Sequence, residues 1–166
     1  LAAGGCDLII LEMMRDVDTA GYAIEAAVST GLPVWVGYTC WLDEQRSSIQ
    51  VGERLDYGGG PSFRDALQTL LPKGGSLMAV MHTRVSQTTS ALEVLQECWS
   101  GPLGAYAHSG DMERPNWQFQ DIMSPQEYLA EAQRWVRMGV QLIGACCGMG
   151  PEHIRLLKER LPQRVR

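Results

Sequence analysis

The sequence predicts an α/β protein with a parallel sheet, and within that class the last five β/α units of a (β/α)8 TIM barrel. Three observations carry this. Short apolar runs with little polar alternation recur between stretches of helical period, five times along the chain. No Gly-x-Gly-x-x-Gly follows the first run, which removes support for an open dinucleotide-binding sheet. Glu12, His82, His108 and the pair Cys146-Cys147 all fall at C-terminal ends of predicted strands, the rim on which a barrel gathers its chemistry.

The first strand is Asp7-Leu-Ile-Ile-Leu-Glu12, an apolar run ending in a carboxylate. A helix follows over residues 16–30, with Ala20, Ile24, Ala27 and Val28 at helical spacing; Asp16 or Asp18 can cap it and Gly31 can end it. In Leu32-Pro-Val-Trp-Val-Gly37, Val34 and Val36 point one way and Trp35 the other, all apolar, so this strand reads as covered on both faces. Residues 76–81, 102–106 and 140–144 read the same way, and the intervening helices span 61–71, 86–99 and 125–138. The last of these helices carries Tyr128, Leu129, Ala132, Trp135 and Val136 at helical spacing. Pro151 opens a final helix with Ile154, Leu157 and Leu161 on one side.

Two connections are long. Residues 39–60 hold Trp41, Asp43, Glu44, Arg46 and Gly58-Gly-Gly60; residues 107–123 hold Asp111, Glu113, Arg114, Asn116 and Trp117. Both follow strand C-termini and would sit over the mouth, either as lids and ligand walls or as rim packing for their tryptophans.

With 166 residues, 45% of them hydrophobic, the chain suits one domain over 1–166. A net charge of −5 argues against a nucleic-acid surface. No apolar run reaches the roughly 18 residues of a membrane span, and the start has neither the basic flank nor the cleavage pattern of a signal peptide. Five cysteines, two of them adjacent, suit a reducing, cytoplasmic setting better than a disulfide framework. A complete barrel takes about 250 residues. The expectation is therefore a C-terminal barrel portion whose apolar interior and bare edges are covered by a missing N-terminal portion or by a second copy, as a homo-oligomer.

Gly144-Ala-Cys-Cys-Gly148 is the most informative segment. Adjacent side chains of a strand diverge, so two neighbouring thiols converge only where the strand ends and the backbone turns, a freedom Gly148 supplies. Two buried inert cysteines are the plainer alternative. His82 shifts the balance: it closes another strand on the same rim, and Cys2His is a zinc donor set with one open position. His108 is the competing histidine, as ligand, as a donor to a ligand or as substrate contact. His153, one turn into the last helix, reads as a capping or packing residue. A thiol bound to Zn²⁺ loses its proton near neutral pH and stays nucleophilic, which suits attack on an activated methyl group. Hydrolysis by zinc-bound water is the rival, with Glu12 or Asp111 as the base.

The segment Gly144-Ala-Cys-Cys-Gly-Met-Gly-Pro-Glu-His-Ile154 resembles the C-terminal signature of the homocysteine S-methyltransferase family. Asp7–Glu12, Gly31-Leu-Pro-Val-Trp-Val36 and Gly104-Ala-Tyr-Ala-His-Ser-Gly110 resemble further landmarks of that family in the same order. The resemblance implies a zinc-binding (β/α)8 barrel acting in methionine biosynthesis, with the sulfur of homocysteine as the fourth ligand and a methyl donor such as betaine, S-methylmethionine, S-adenosylmethionine or methyl-folate. It implies Cys146 and Cys147 as ligands, with His82 where the family has a third cysteine. Glu12 would hold the substrate's amino group, and His108 stands in place of a family asparagine. Histidine for the third cysteine makes the site less anionic and a bound thiolate less electron-rich. No side chain is singled out as a catalytic acid or base. A degenerate barrel keeping the fold without the chemistry is the non-enzymatic rival.

Overall fold

The computed structural model describes residues 1–52, 61–113 and 118–163, with backbone only for 111–113 and 118. Strand β1 (Ile9–Met14) leads into helix α1 (Val17–Val28), whose cap is Asp16: its Oδ1 accepts from the Thr19 amide at 2.7 Å. Gly31 follows the helix in the left-handed region, φ 77°. Strand β2 (Val34–Tyr38) is followed by a hairpin, β3 (Cys40–Asp43) and β4 (Ser48–Val51). The first long connection is thus partly ordered sheet. Its turn is tied by Asp43 Oδ1, which accepts from the Gln45 and Arg46 amides at 3.0 and 3.2 Å. Gly58–Gly60 lie outside the described residues.

Helix α2 (Phe63–Leu70) starts two residues later than predicted because Ser62 caps it, its Oγ accepting from the Asp65 amide at 3.1 Å. Strand β5 (Leu77–Arg84) runs three residues past its expected end and passes directly into α3 (Val85–Cys98). Strand β6 (Leu103–His108) is followed by a second hairpin, β7 (Asp111–Glu113) and β8 (Gln118–Gln120). The side chains of Asp111 and Glu113, and residues Arg114, Asn116 and Trp117, lie outside the described set. Helix α4 (Pro125–Arg137) opens on a reciprocal Ser124–Glu127 capping box. Strand β9 shrinks to Leu142–Ile143, although the Gly144 and Cys146 amides still donate to Ala105 and Ala107 of β6, both at 3.0 Å. Helix α5 (Pro151–Arg160) starts at Pro151 as expected.

The five parallel strands lie in the order β1-β2-β5-β6-β9, which is their order along the chain. A doubly wound sheet reverses direction at a switch point, whereas a barrel arc always steps the same way. The order therefore selects the barrel. Its outer face buries Val34, Val36, Tyr38, Met78, Val80 and Ala105 in one cluster with the helix residues Ile24, Leu67, Leu92, Leu95, Tyr128 and Trp135.

The inner face is open, as expected for five strands of a barrel. Trp35, read as covered, is only half-buried, and Ile10 is 47% exposed while its neighbour Ile9 is 6% exposed. The reason is geometric: five strands form an arc, and their inward residues open onto a cavity of about 200 Å³ lined by Ile10, Glu12, Trp35, Leu77, Tyr106 and Leu142, among others. No helix among the described residues is long and apolar enough to cross a membrane.

Candidate metal centre

His82 reaches the rim through a backbone irregularity. In β5 the inward residues are Leu77, Ala79 and Met81, so regular alternation would send His82 to the outer face. Instead the pairing with β6 shifts register between Met81 and Arg84, and His82 takes φ 44°, a left-handed conformation uncommon for a residue with a Cβ. Such a conformation costs roughly 1–3 kcal/mol and persists only where its surroundings enforce it. Thr83 does so. Its buried Oγ1 donates to Met81 O at 3.0 Å and accepts from the Cys40 amide at 2.9 Å, clamping the bulge to the first hairpin.

The cysteines arrive on the chain running beside β6. The Tyr128 hydroxyl donates to Gly144 O at 2.7 Å, and the Ser109 amide donates to Cys147 O at 3.1 Å. Gly148 then turns away at φ 78°, and a Cβ there would lie 1.9 Å from Ser109 O. The turn expected at this glycine is the one observed, and no other residue fits it. Further on, His153 is buried with both ring nitrogens used: Nδ1 accepts from the Gly150 amide at 3.1 Å and Nε2 donates to Met123 O at 2.8 Å. Its packing and capping role is as predicted.

These constraints bring three donors together. His82 Nδ1 lies 3.4 Å from Cys146 Sγ and 3.5 Å from Cys147 Sγ, and the two sulfurs are 3.7 Å apart. A tetrahedral zinc ion with bonds of about 2.3 Å to sulfur and about 2.0–2.1 Å to nitrogen sets edges of about 3.8 Å (S to S) and about 3.5–3.6 Å (N to S). The triangle fits that ion without rearrangement. Among the described residues it is the one group of three or more His, Cys, Asp or Glu donors so placed. His108 stands beside it rather than in it, its ring centroid 4.8 Å from that of His82.

Burial pushes the Cys146 thiol up to about 11; the Cys147 backbone N–H partly offsets this, while the charges of Cys147 and Glu12 add to it. Near neutral pH the metal-free Cys146 therefore holds its proton, and a bound cation must displace it. The sign follows: below that pKa, zinc binding releases the Cys146 proton, so affinity rises with pH, by about tenfold per unit for each proton released. Competition against a chelator of known pH response, from pH 6 to 8, measures this; an affinity independent of pH would contradict it.

Glu12 is exposed on β1 and lines the cavity with Tyr106 and Gly144. In the sequence Tyr106 stands out only within the segment Gly104–Gly110. The signal that finds it is alternation, since Gly104, Tyr106 and His108 share one face of β6. Trp41 of the first hairpin is half-buried, with its Nε1 buried and unpartnered among the described residues.

The comparisons with known proteins agree with this geometry. A family model described as homocysteine S-methyltransferase matches residues 1–161. Betaine–homocysteine S-methyltransferase 1 of Pongo abelii is 27% identical over 182 residues, covering 95% of this chain and 41% of the relative. Selenocysteine Se-methyltransferase of Brassica oleracea var. italica is 32% identical over 68 residues, 39% of this chain and 20% of the relative. The crystal structure of the homocysteine methyltransferase MmuM from Escherichia coli in its metallated form superposes with a TM-score of 0.68 at 21% identity, covering 95% of this chain and 46% of that one. At that identity the likeness establishes the fold. The chain spans about two fifths of the full-length match from Pongo abelii.

Proposed function

This chain belongs to the homocysteine S-methyltransferase family, and on that premise we propose that it is a zinc-dependent methyltransferase moving a methyl group onto the thiol of homocysteine or a related thiol. The observation that carries the reading is the His82, Cys146, Cys147 triangle on a barrel rim, next to a cavity that Glu12 lines. Cys146 Sγ, Cys147 Sγ and His82 Nδ1 are the metal ligands in this reading, and three protein donors leave one tetrahedral position for substrate. Zinc, when bound there, lowers the pKa of a thiol and keeps its sulfur nucleophilic.

The chain's own groups then bind and orient. Glu12 receives the ammonium of the acceptor, and His108, packed against His82, is a second substrate contact. Fixing the acceptor at both ends leaves its sulfur to meet the methyl donor in line, which is where most of the acceleration comes from. Two thiolates and a neutral imidazole balance the charge of Zn²⁺, so this donor set is less anionic than three thiolates. The exposed apolar part of the inner face, with Ile10 on β1, is where the remainder of a barrel, or a second copy of this chain, packs in the working protein.

The test is methionine formation by zinc-loaded chain from homocysteine, offered betaine, S-methylmethionine and S-adenosylmethionine in turn. The expected result is methionine with at least one donor, dependent on both zinc and homocysteine. Turnover of a donor without any thiol would favour the hydrolytic rival, and no product from folded, zinc-loaded chain with any donor would overturn the proposal.

A further inference from the structure

The inner face of the arc carries one side chain that spans two strands. Tyr106 stands on β6, and Gly37 stands two strands away on β2, with β5 between them. A Cβ on Gly37 would lie 2.3 Å from the Tyr106 hydroxyl oxygen and 2.7 Å from Met81 Cγ. The phenol ring therefore lies flat across β5, and its tip rests where only a glycine leaves space. Gly144, whose added Cβ would come 3.0 Å from Tyr106 Cβ, frees the other end of the ring.

Glu12 stands on the same cavity wall as that ring, close enough for its charge to act on the Tyr106 phenol. The pairing of β1 with β2 shifts register just after Leu11, and Glu12 lies within that irregularity. Glu12 and Tyr106 both line the cavity, which is otherwise largely aliphatic. Burial, then the charges of Glu12 and Cys146, push the Tyr106 phenol well above its ordinary range, so it remains a neutral donor. One anionic acceptor and one neutral donor thus stand side by side on the cavity wall. Their complement is a ligand that presents an ammonium and a carboxylate on one carbon.

We propose that the Tyr106 hydroxyl binds the carboxylate of the thiol acceptor while Glu12 binds its ammonium, so that the pair reads an α-amino-acid head group. The assignment rests on the acceptor role proposed above and adds the residue that recognises the acceptor's anionic end. Gly37 is its positioning residue, because any side chain there displaces the hydroxyl.

The experiment compares homocysteine with 3-aminopropane-1-thiol, the same molecule without its carboxylate, by calorimetric binding to the zinc-loaded chain. A hydrogen bond to a charged group predicts that Tyr106→Phe weakens homocysteine about tenfold to a hundredfold. The same variant leaves 3-aminopropane-1-thiol within about twofold, with zinc content unchanged as the control for folding. Gly37→Ala gives the same selective loss without touching the hydroxyl itself. Equal weakening of both ligands, or homocysteine binding indifferent to Tyr106→Phe, overturns the assignment alone. A wild-type chain that holds zinc and binds neither thiol overturns the acceptor reading and this assignment with it.

Discussion

On the proposed function, Cys147→Ser, and separately Cys146→Ser, will reduce bound zinc from the expected near one equivalent per chain to below about a tenth and abolish the proposed methyl transfer, with the fold intact. Donor chemistry and location set this outcome. Either change removes one corner of a triangle whose edges are 3.4, 3.5 and 3.7 Å and puts a hydroxyl, which is not a usual zinc donor, in its place. Structural zinc sites with four protein ligands gain about 10–16 kcal/mol at neutral pH, so losing one of three thiolate or imidazole ligands removes a share large enough to empty the site at micromolar metal. The core is untouched. Its large residues, among them Trp135, Tyr128, Leu92 and Leu95, lie on the outer face under the helices, with the sheet between them and the donors. Zinc by elemental analysis and far-UV circular dichroism check both halves; full zinc and full turnover in either serine variant would contradict the account.

Gly148→Ala is the second large effect, and a matched control isolates its cause. Gly31 and Gly148 have nearly the same backbone, φ 77° and 78°, but a Cβ on Gly31 meets nothing within 4 Å and one on Gly148 falls 1.9 Å from Ser109 O. Left-handed strain alone costs about 1–2 kcal/mol, which is the expectation for Gly31→Ala. At Gly148 the backbone must also move, breaking the Ser109 amide bond to Cys147 O and tilting the thiols off the triangle. The expected loss is about 3 kcal/mol or more, with zinc lost as well. Urea denaturation of the two variants side by side reads the difference, and equal costs would refute the steric argument.

The comparison of sequence and structure separates what pattern encodes from what packing decides. The β/α rhythm is legible where a helix announces its own start, Asp16 for α1, Ser124 with Glu127 for α4 and Pro151 for α5, whereas α3 follows β5 directly with no side-chain cap. Strands were found as apolar runs, but their ends were not. Strand β5 runs on through a bulge at His82, and β9 keeps only two residues in regular pairing. The two hairpins inside the long connections escaped because strands of three or four residues carry too few alternations to register.

Within the site, the residue types of the donor set could be read from spacing. Their convergence through Nδ1 could not, since it depends on one left-handed residue that periodicity assigns to the other face. The open inner face follows from the number of strands in the arc rather than from any strand's own composition, which is why Trp35 reads as covered within its own strand. Tyr106 escaped for a similar reason: its reach to Gly37 crosses an intervening strand, and no spacing along the chain reports a contact of that kind.

The central claim is that His82, Cys146 and Cys147 form a zinc site on a barrel rim. It is tested most directly by zinc per folded chain, measured by elemental analysis on protein purified without chelator, alongside His82→Ala. The account predicts close to one equivalent in the wild-type chain and a loss of most of it in the variant. A well-folded wild-type chain that takes up no zinc, or a His82→Ala chain that retains it fully, would contradict the claim.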